Sequence, residues 1–200
     1  MQHHVLLSQS RNIVDGHQRR ENMNQAGNTY SESWAEAAFG DVERELAITR
    51  RVLEALPEEH FDWKPHEKSM SLCSLALHVA YLPDWARAAL ASTELDVASA
   101  PRPPKSVKDR AELLAHFDRN AEALRKTIAG FDPAGYGATW TMRNGQQVFV
   151  SKRRSMVFRT WSMNHMIHHR GQLCLYLRLL NVPVPTVYFN TADNPAWMFE

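Results

Sequence analysis

Three of the chain's ten histidines fall within five residues, in the stretch Trp161-Ser-Met-Asn-His165-Met-Ile-His168-His169-Arg170-Gly171-Gln172. Imidazole is the commonest metal-ligating side chain. Residues four apart on a helix project from one face, one turn above the other. His165 and His169 therefore stand side by side, about as far apart as two ligands of one ion. Gln172 falls in the same narrow arc, with Phe158 and Tyr176. Two imidazoles and an amide on an inner stripe are costly to bury unless something satisfies them. A divalent ion would do so, and so would hydrogen bonds among core histidines; the spacing leaves both open. His168 competes, because an i, i+3 pair with His165 is also geometrically possible. The arc puts His168 and His169 on opposite sides of His165, so only one of them shares its site. Two histidines do not complete a coordination sphere. His78 offers a third, on a helical face otherwise made of Leu75, Leu82 and Trp85. Standing alone, it would read as a core histidine with one hydrogen-bond partner.

The elements that must position these residues are helices. Helix four is expected from about Ser151 to Leu180, ended by Asn181 and Pro183, and it is apolar nearly all round. Such a helix is expected at the centre of the fold, covered on most sides. Helix two, which carries His78, starts at Ser69 or Ser71, runs to about Ser92, and should kink at Pro83. Helix one runs from Ser31 or Ser33 to Leu56, with Ser33 and Glu36 forming a capping box and Pro57 as its stop. In the connector 57–69, Phe61 and Trp63 should pack over one end of the core, and His60 and His66 should face solvent. Ser106 with Asp109 caps helix three, which ends at Gly130. His116 lies off its buried stripe and is expected to be exposed. Residues 93–105, with Pro101-Arg-Pro-Pro104, read as a loop. Residues 139–150 read as a β-hairpin about Asn144-Gly145, packed on the helices. Residues 182–200 read as an extended tail.

Residues 1–28 are polar and without periodicity, which predicts a flexible extension, with His3 and His4 solvated and Met23 an alternative start. The domain then spans 29–200, and the fold class is all-α: a four-helix bundle with a small hairpin before the last helix. Net charge is +1 and the basic residues are scattered, which gives no electrostatic case for nucleic acid. The longest basic run, Lys152-Arg153-Arg154, sits at the expected start of helix four and reads as a solvated face or an anion contact. Two cysteines, Cys73 and Cys174, make no disulfide framework and fit a reducing compartment. With no membrane-length apolar run, a cytoplasmic location is expected.

The segment from His165 to Leu173, with Tyr176-Leu-Arg178 and the Pro183/Pro185 tail, resembles the DinB/YfiT-like superfamily. The likeness extends back through Leu53-Glu-Ala-Leu-Pro57, Trp63-Lys-Pro65 and Ser71-Leu-Cys-Ser-Leu-Ala-Leu-His78, and covers roughly residues 32–190. It implies a bundle of non-sequential, up-down-down-up order, and commonly a homodimer. It implies a divalent metal, often zinc or nickel, on His78, His165 and His169, with His168 left over. Characterised relatives include transferases and isomerases that use the low-molecular-weight thiols bacillithiol, mycothiol or glutathione; others are described as metal-dependent hydrolases or damage-inducible proteins.

Three neutral imidazoles would leave an ion with open positions, as in catalytic rather than structural sites. Such an ion makes hydroxide available from water or binds a cofactor thiol as thiolate. The expected function is thus that of a metal-dependent enzyme on a small molecule, a thiol-dependent S-transferase or a hydrolase. Gln172 would orient water or a ligand histidine, or bond a neighbouring helix. Arg170 would hold an anionic substrate or pair with a carboxylate. No carboxylate is an evident general base; Asp84 is the nearest on helix two. The competing reading is a non-enzymatic, stress-related binding protein whose histidines are structural.

Overall fold

A computed structural model of the chain describes residues 34–194. The 1–28 extension, the His3/His4 pair and the Ser33 cap lie outside them. Residues 34–39 are helical and a turn follows at Gly40 and Asp41, so the expected single helix one is interrupted. Gly40 suits that turn, since a Cβ there would lie 2.6 Å from the Glu36 carbonyl oxygen. Helix α1 (Val42–Glu54) then buries Leu46, Val52 and Leu53.

Helix α2 (Leu72–Ala91) is capped by Ser71, whose Oγ accepts from the Ser74 amide at 3.2 Å. It continues through Pro83, which removes one backbone donor. Asn120 Nδ2 donates to the Ala80 carbonyl beside that gap at 2.9 Å. Helix α3 (Arg110–Ala129) is capped by Asp109, not Ser106. Asp109 Oδ1 accepts from the Glu112 amide at 2.8 Å, and Glu112 Oε2 accepts from the Lys108 amide at 2.9 Å, a reciprocal arrangement that satisfies two free amides. Gly130 ends α3 as expected. Phe61 is buried, and Trp63 meets Tyr176 edge-on at 5.4 Å, while His60 and His66 are exposed.

The largest departure from the sequence reading is a three-stranded sheet where a hairpin was expected. Strand β1 (Glu94–Asp96) lies within the stretch read as a loop. It pairs in parallel with β2 (Thr139–Asn144), which pairs antiparallel with β3 (Gln147–Arg153). Arg143 ties β1 to the hairpin, bonding Glu94 Oε1 at 2.8 Å and Asp96 Oδ2 at 2.5 Å. The two residues between β2 and β3 are Gly145 and Gln146, and only Gly145 has positive φ, at 59°. That pattern fits a type II′ turn, one residue later than the Asn-Gly turn expected. Trp140 and Val150 pack on Ala89 and Val157, so the sheet leans on α2 and the last helical segment.

The last helical segment starts later than expected, because Ser151 to Arg153 belong to β3. One α-turn (Arg154–Met156) leads into a π-helical stretch (Val157–Met163), which continues as α4 (Asn164–Leu179). The basic run therefore splits: Lys152 and Arg153 are exposed on β3, and Arg154 is buried. Arg154 donates to the carbonyls of Gly135 and Ser92, each at 2.8 Å. Ser92 is the C-cap of α2, where free carbonyls favour a cation. Asn181 ends α4 with φ 57°, and the Val182 amide bonds the Leu177 carbonyl at 2.9 Å, closing a Schellman turn.

α4 is not covered all round: Leu175 and Leu179 are 57% and 52% exposed. Helical periodicity registers apolar residues but does not say which of them meet another element. α2 packs on α3, on the π segment and on α4, and α1 packs on both α3 and α4. No helix among the described residues is long and apolar enough to cross a membrane.

Candidate metal centre

His78 sits two turns into α2, and His165 and His169 occupy successive turns of α4. Both helices are regular at these positions, so the i, i+4 spacing is realised. The π segment ends at Met163, upstream of the pair, and changes the helical phase only of earlier residues such as Phe158. The structure brings His78, His165 and His169 together, with one ligating atom of each within 4.8 Å of the others. His165 Nε2 lies 3.2 Å from His78 Nε2 and 2.8 Å from His169 Nε2. His168 is exposed and stands outside this group, its ring against the flank of His169 at 4.9 Å.

The ring partners set the tautomers. His165 Nδ1 faces the Trp161 carbonyl at 3.3 Å. A carbonyl can only accept, so this contact calls for the proton on His165 Nδ1. His169 Nδ1 donates to Gln172 Oε1 at 2.6 Å. With the protons on Nδ1, the two Nε2 atoms present lone pairs to one another across 2.8 Å. Two facing lone pairs repel unless a cation shares them. A divalent ion about 2.0–2.1 Å from each imidazole nitrogen sets those nitrogens roughly 3 Å apart, in line with the spacing found here. The donor set thus fits a divalent metal ion.

Burial pushes the His78 imidazole down to about 4, and His169 and His165 beside it push the same way. Burial also lowers His169, against the opposing bond from Gln172. Both rings are therefore neutral near pH 7, the form that ligates.

A cavity of about 710 Å³ opens beside His78. Its floor is the solvent face of α2, and β1 with the following loop forms the opposite wall. Tyr81, one turn after His78, lines it, and its hydroxyl bonds His116 Nδ1 at 3.0 Å. Arg119 donates to the same nitrogen at 2.7 Å. His116 is thus half-buried and partnered, not free in solvent as its place off the stripe suggested. Asp84 also lines the cavity, with Oδ1 held by Arg87 Nε at 2.5 Å. The sequence reading missed Tyr81; its i+3 spacing from His78 was the available signal.

The DinB family model matches residues 23–197. The chain belongs to the DinB family. No curated protein matches it. Among solved structures, it is similar to a DinB-like protein from Bacillus cereus at 17% identity and a TM-score of 0.59, over 76% of this chain and 97% of that one. It is similar to a DinB-like protein from Bacillus subtilis at 16% identity and a TM-score of 0.59, over 77% of this chain and 97% of that one. At these identities the likeness establishes the fold and nothing finer.

Arg170, next to His169 in the stretch that resembles the family, is 1% exposed. Its guanidinium bonds Glu45 Oε2 at 2.7 Å, Thr49 Oγ1 at 3.1 Å and Tyr188 Oη at 2.7 Å. Gln172, by contrast, touches the cluster through His169. Gln172→Ala should leave the fold intact and weaken metal binding about 10–100-fold, the usual effect of losing a ligand's orienting partner. Competition with a chelating dye measures it; unchanged affinity would show that the amide does not orient His169.

The metal-free DinB-family protein should also show a pH signature. Between about pH 4 and 6.5 the unfolded chain protonates its residue-78 imidazole and the folded chain does not. Folding then binds fewer protons, so stability rises with pH across that window and is lost as pH falls through it. Thermal denaturation of wild type and His78→Gln checks this. The variant should have the shallower slope, and equal slopes would contradict the assignment.

Proposed function

We propose that this protein holds one divalent metal ion, zinc or nickel, on His78, His165 and His169, and acts as a metal-dependent enzyme on a small molecule in the adjoining cavity. The observation that carries this reading is the convergence of three imidazoles: His165 Nε2 lies 2.8 Å from His169 Nε2 and 3.2 Å from His78 Nε2. When bound, an ion on three neutral imidazoles supplies Lewis acidity toward a thiol or water in its open positions. The protein's own groups do the rest. Trp161 and Gln172 keep the protons of His165 and His169 on Nδ1, so both Nε2 atoms stay available. Leu77, Trp85 and Leu95 give the cavity a water-poor wall, which strengthens electrostatic interactions inside it. The Tyr81 hydroxyl donates to His116 and keeps its oxygen lone pairs free for a bound molecule. Asp84 is the carboxylate that lines that wall.

The reaction class proposed is thiol-dependent S-transfer or hydrolysis, with a low-molecular-weight thiol as co-substrate in the first case. We further propose that the helices follow the family's up-down-down-up order, which the packing of α1 and α2 against both α3 and α4 supports. The chain is also proposed to pair as a homodimer through the exposed face of the last helical segment, where Trp161 of the π stretch and Leu175 and Leu179 of α4 leave apolar surface in water.

The test is a screen of zinc- and nickel-loaded protein with bacillithiol, mycothiol and glutathione against small electrophiles, alongside ester and amide substrates. Turnover lost in His169→Ala supports the reading. Loaded protein with no turnover on any of them favours the non-enzymatic binding role.

A further inference from the structure

The loop that closes the cavity at His78 carries a motif that neither the fold nor the metal site uses: Pro101-Arg102-Pro103-Pro104-Lys105. Proline fixes φ near −65°, so this stretch is stiff. In a polyproline path of three residues per turn, positions three apart project from the same side. Arg102 and Lys105 are three apart, and both line the cavity. Neither has a carboxylate partner among the described residues. The remaining charges of the wall, Asp84 and Arg87, neutralise each other. The cavity therefore has an apolar interior, an ion site at one side through His78, and two unpaired cations at its mouth.

We infer that the cavity takes an organic anion, with an apolar, ring-sized body against Leu77, Trp85 and Leu95 and its carboxylate, sulfonate or phosphate group held by Arg102 and Lys105. The inference builds on the reading that this cavity is the substrate site, and it does not require the metal. A volume of about 710 Å³ admits a molecule of that size. Exposed cations on a loop are ordinarily just solvated. Here the prolines hold both at one mouth, so less side-chain and loop freedom is lost when an anion binds.

The test uses metal-free full-length protein and two fluorescent probes with the same aromatic body. One is anilinonaphthalene sulfonate; the other is phenylnaphthylamine, which lacks the sulfonate. The sulfonate should bind saturably, one per chain, and more tightly than the amine. The double variant Arg102→Ala/Lys105→Ala should weaken the sulfonate about 3–10-fold, the scale of two exposed charge contacts, and leave the amine unchanged. Added salt should reproduce that loss in wild type. Trp85→Ala should weaken both probes, which places them in this cavity. Equal affinity of the two probes for wild type, an unchanged sulfonate affinity in the double variant, or no saturable binding would each overturn the inference. His78→Ala separates this inference from the metal proposal: sulfonate binding retained in that variant upholds the anion site whatever the metal content proves to be.

Discussion

Arg170→Ala should destabilise the protein by about 3–5 kcal/mol, lowering Tm by roughly 10 °C. Arg170 and Glu45 are 1% and 5% exposed. Removing the guanidinium strands a carboxylate in the interior with, among the described residues, the Tyr188 hydroxyl at 3.0 Å left to satisfy it. Glu45→Ala should cost a similar amount, because it strands the guanidinium instead. Replacing both residues by methionine should cost much less than either single change, since no buried charge is then left unpaired. Denaturant unfolding of the three variants measures the pattern. Additive losses would contradict it. The metal content of these variants, once folded, should be unchanged. Such a result would show that Arg170 fixes α4 against α1 and the 182–194 segment and takes no part in holding a metal.

The second large effect is metal-linked stabilisation. A ligand that binds only the folded state, at about a hundred times its Kd, stabilises by about 2.7 kcal/mol. Zinc or nickel added to metal-free wild type should raise Tm accordingly. The same addition should have no effect on His165→Ala or on His169→Ala, because each leaves only two imidazoles. His168→Ala should behave as wild type, since that ring is exposed and outside the cluster. A loss of the metal effect in His168→Ala would mean that the two α4 ligands had been assigned to the wrong pair.

Local signals explain what the sequence revealed. Ser71 and Gly130 mark real helix ends because a cap is decided by one residue and its nearest amides or carbonyls. The His165/His169 pair was legible because α4 is regular where it matters, and i, i+4 geometry follows from the helix alone. The closeness of His78 could not follow from spacing, because α2 and α4 meet only through tertiary packing; the family resemblance supplied it. Strand β1 was missed for a related reason. Glu94-Leu-Asp96 is too short for its alternation to register and becomes a strand by pairing with β2, far along the chain, under the grip of Arg143. The cavity wall that β1 forms was invisible with it. The π segment was missed because a wider helical turn keeps the same apolar composition. Arg154 looked like part of a charged surface run, yet it is buried against two backbone carbonyls that no sequence pattern brings together.

The most direct measurement is the metal content of the full-length protein, purified without a histidine tag and analysed by elemental mass spectrometry as isolated and after incubation with zinc or nickel. One equivalent of divalent metal per chain is expected, falling below about a tenth of an equivalent in His78→Ala. Protein that holds no stoichiometric metal, even after both ions are supplied, would contradict the three-histidine site.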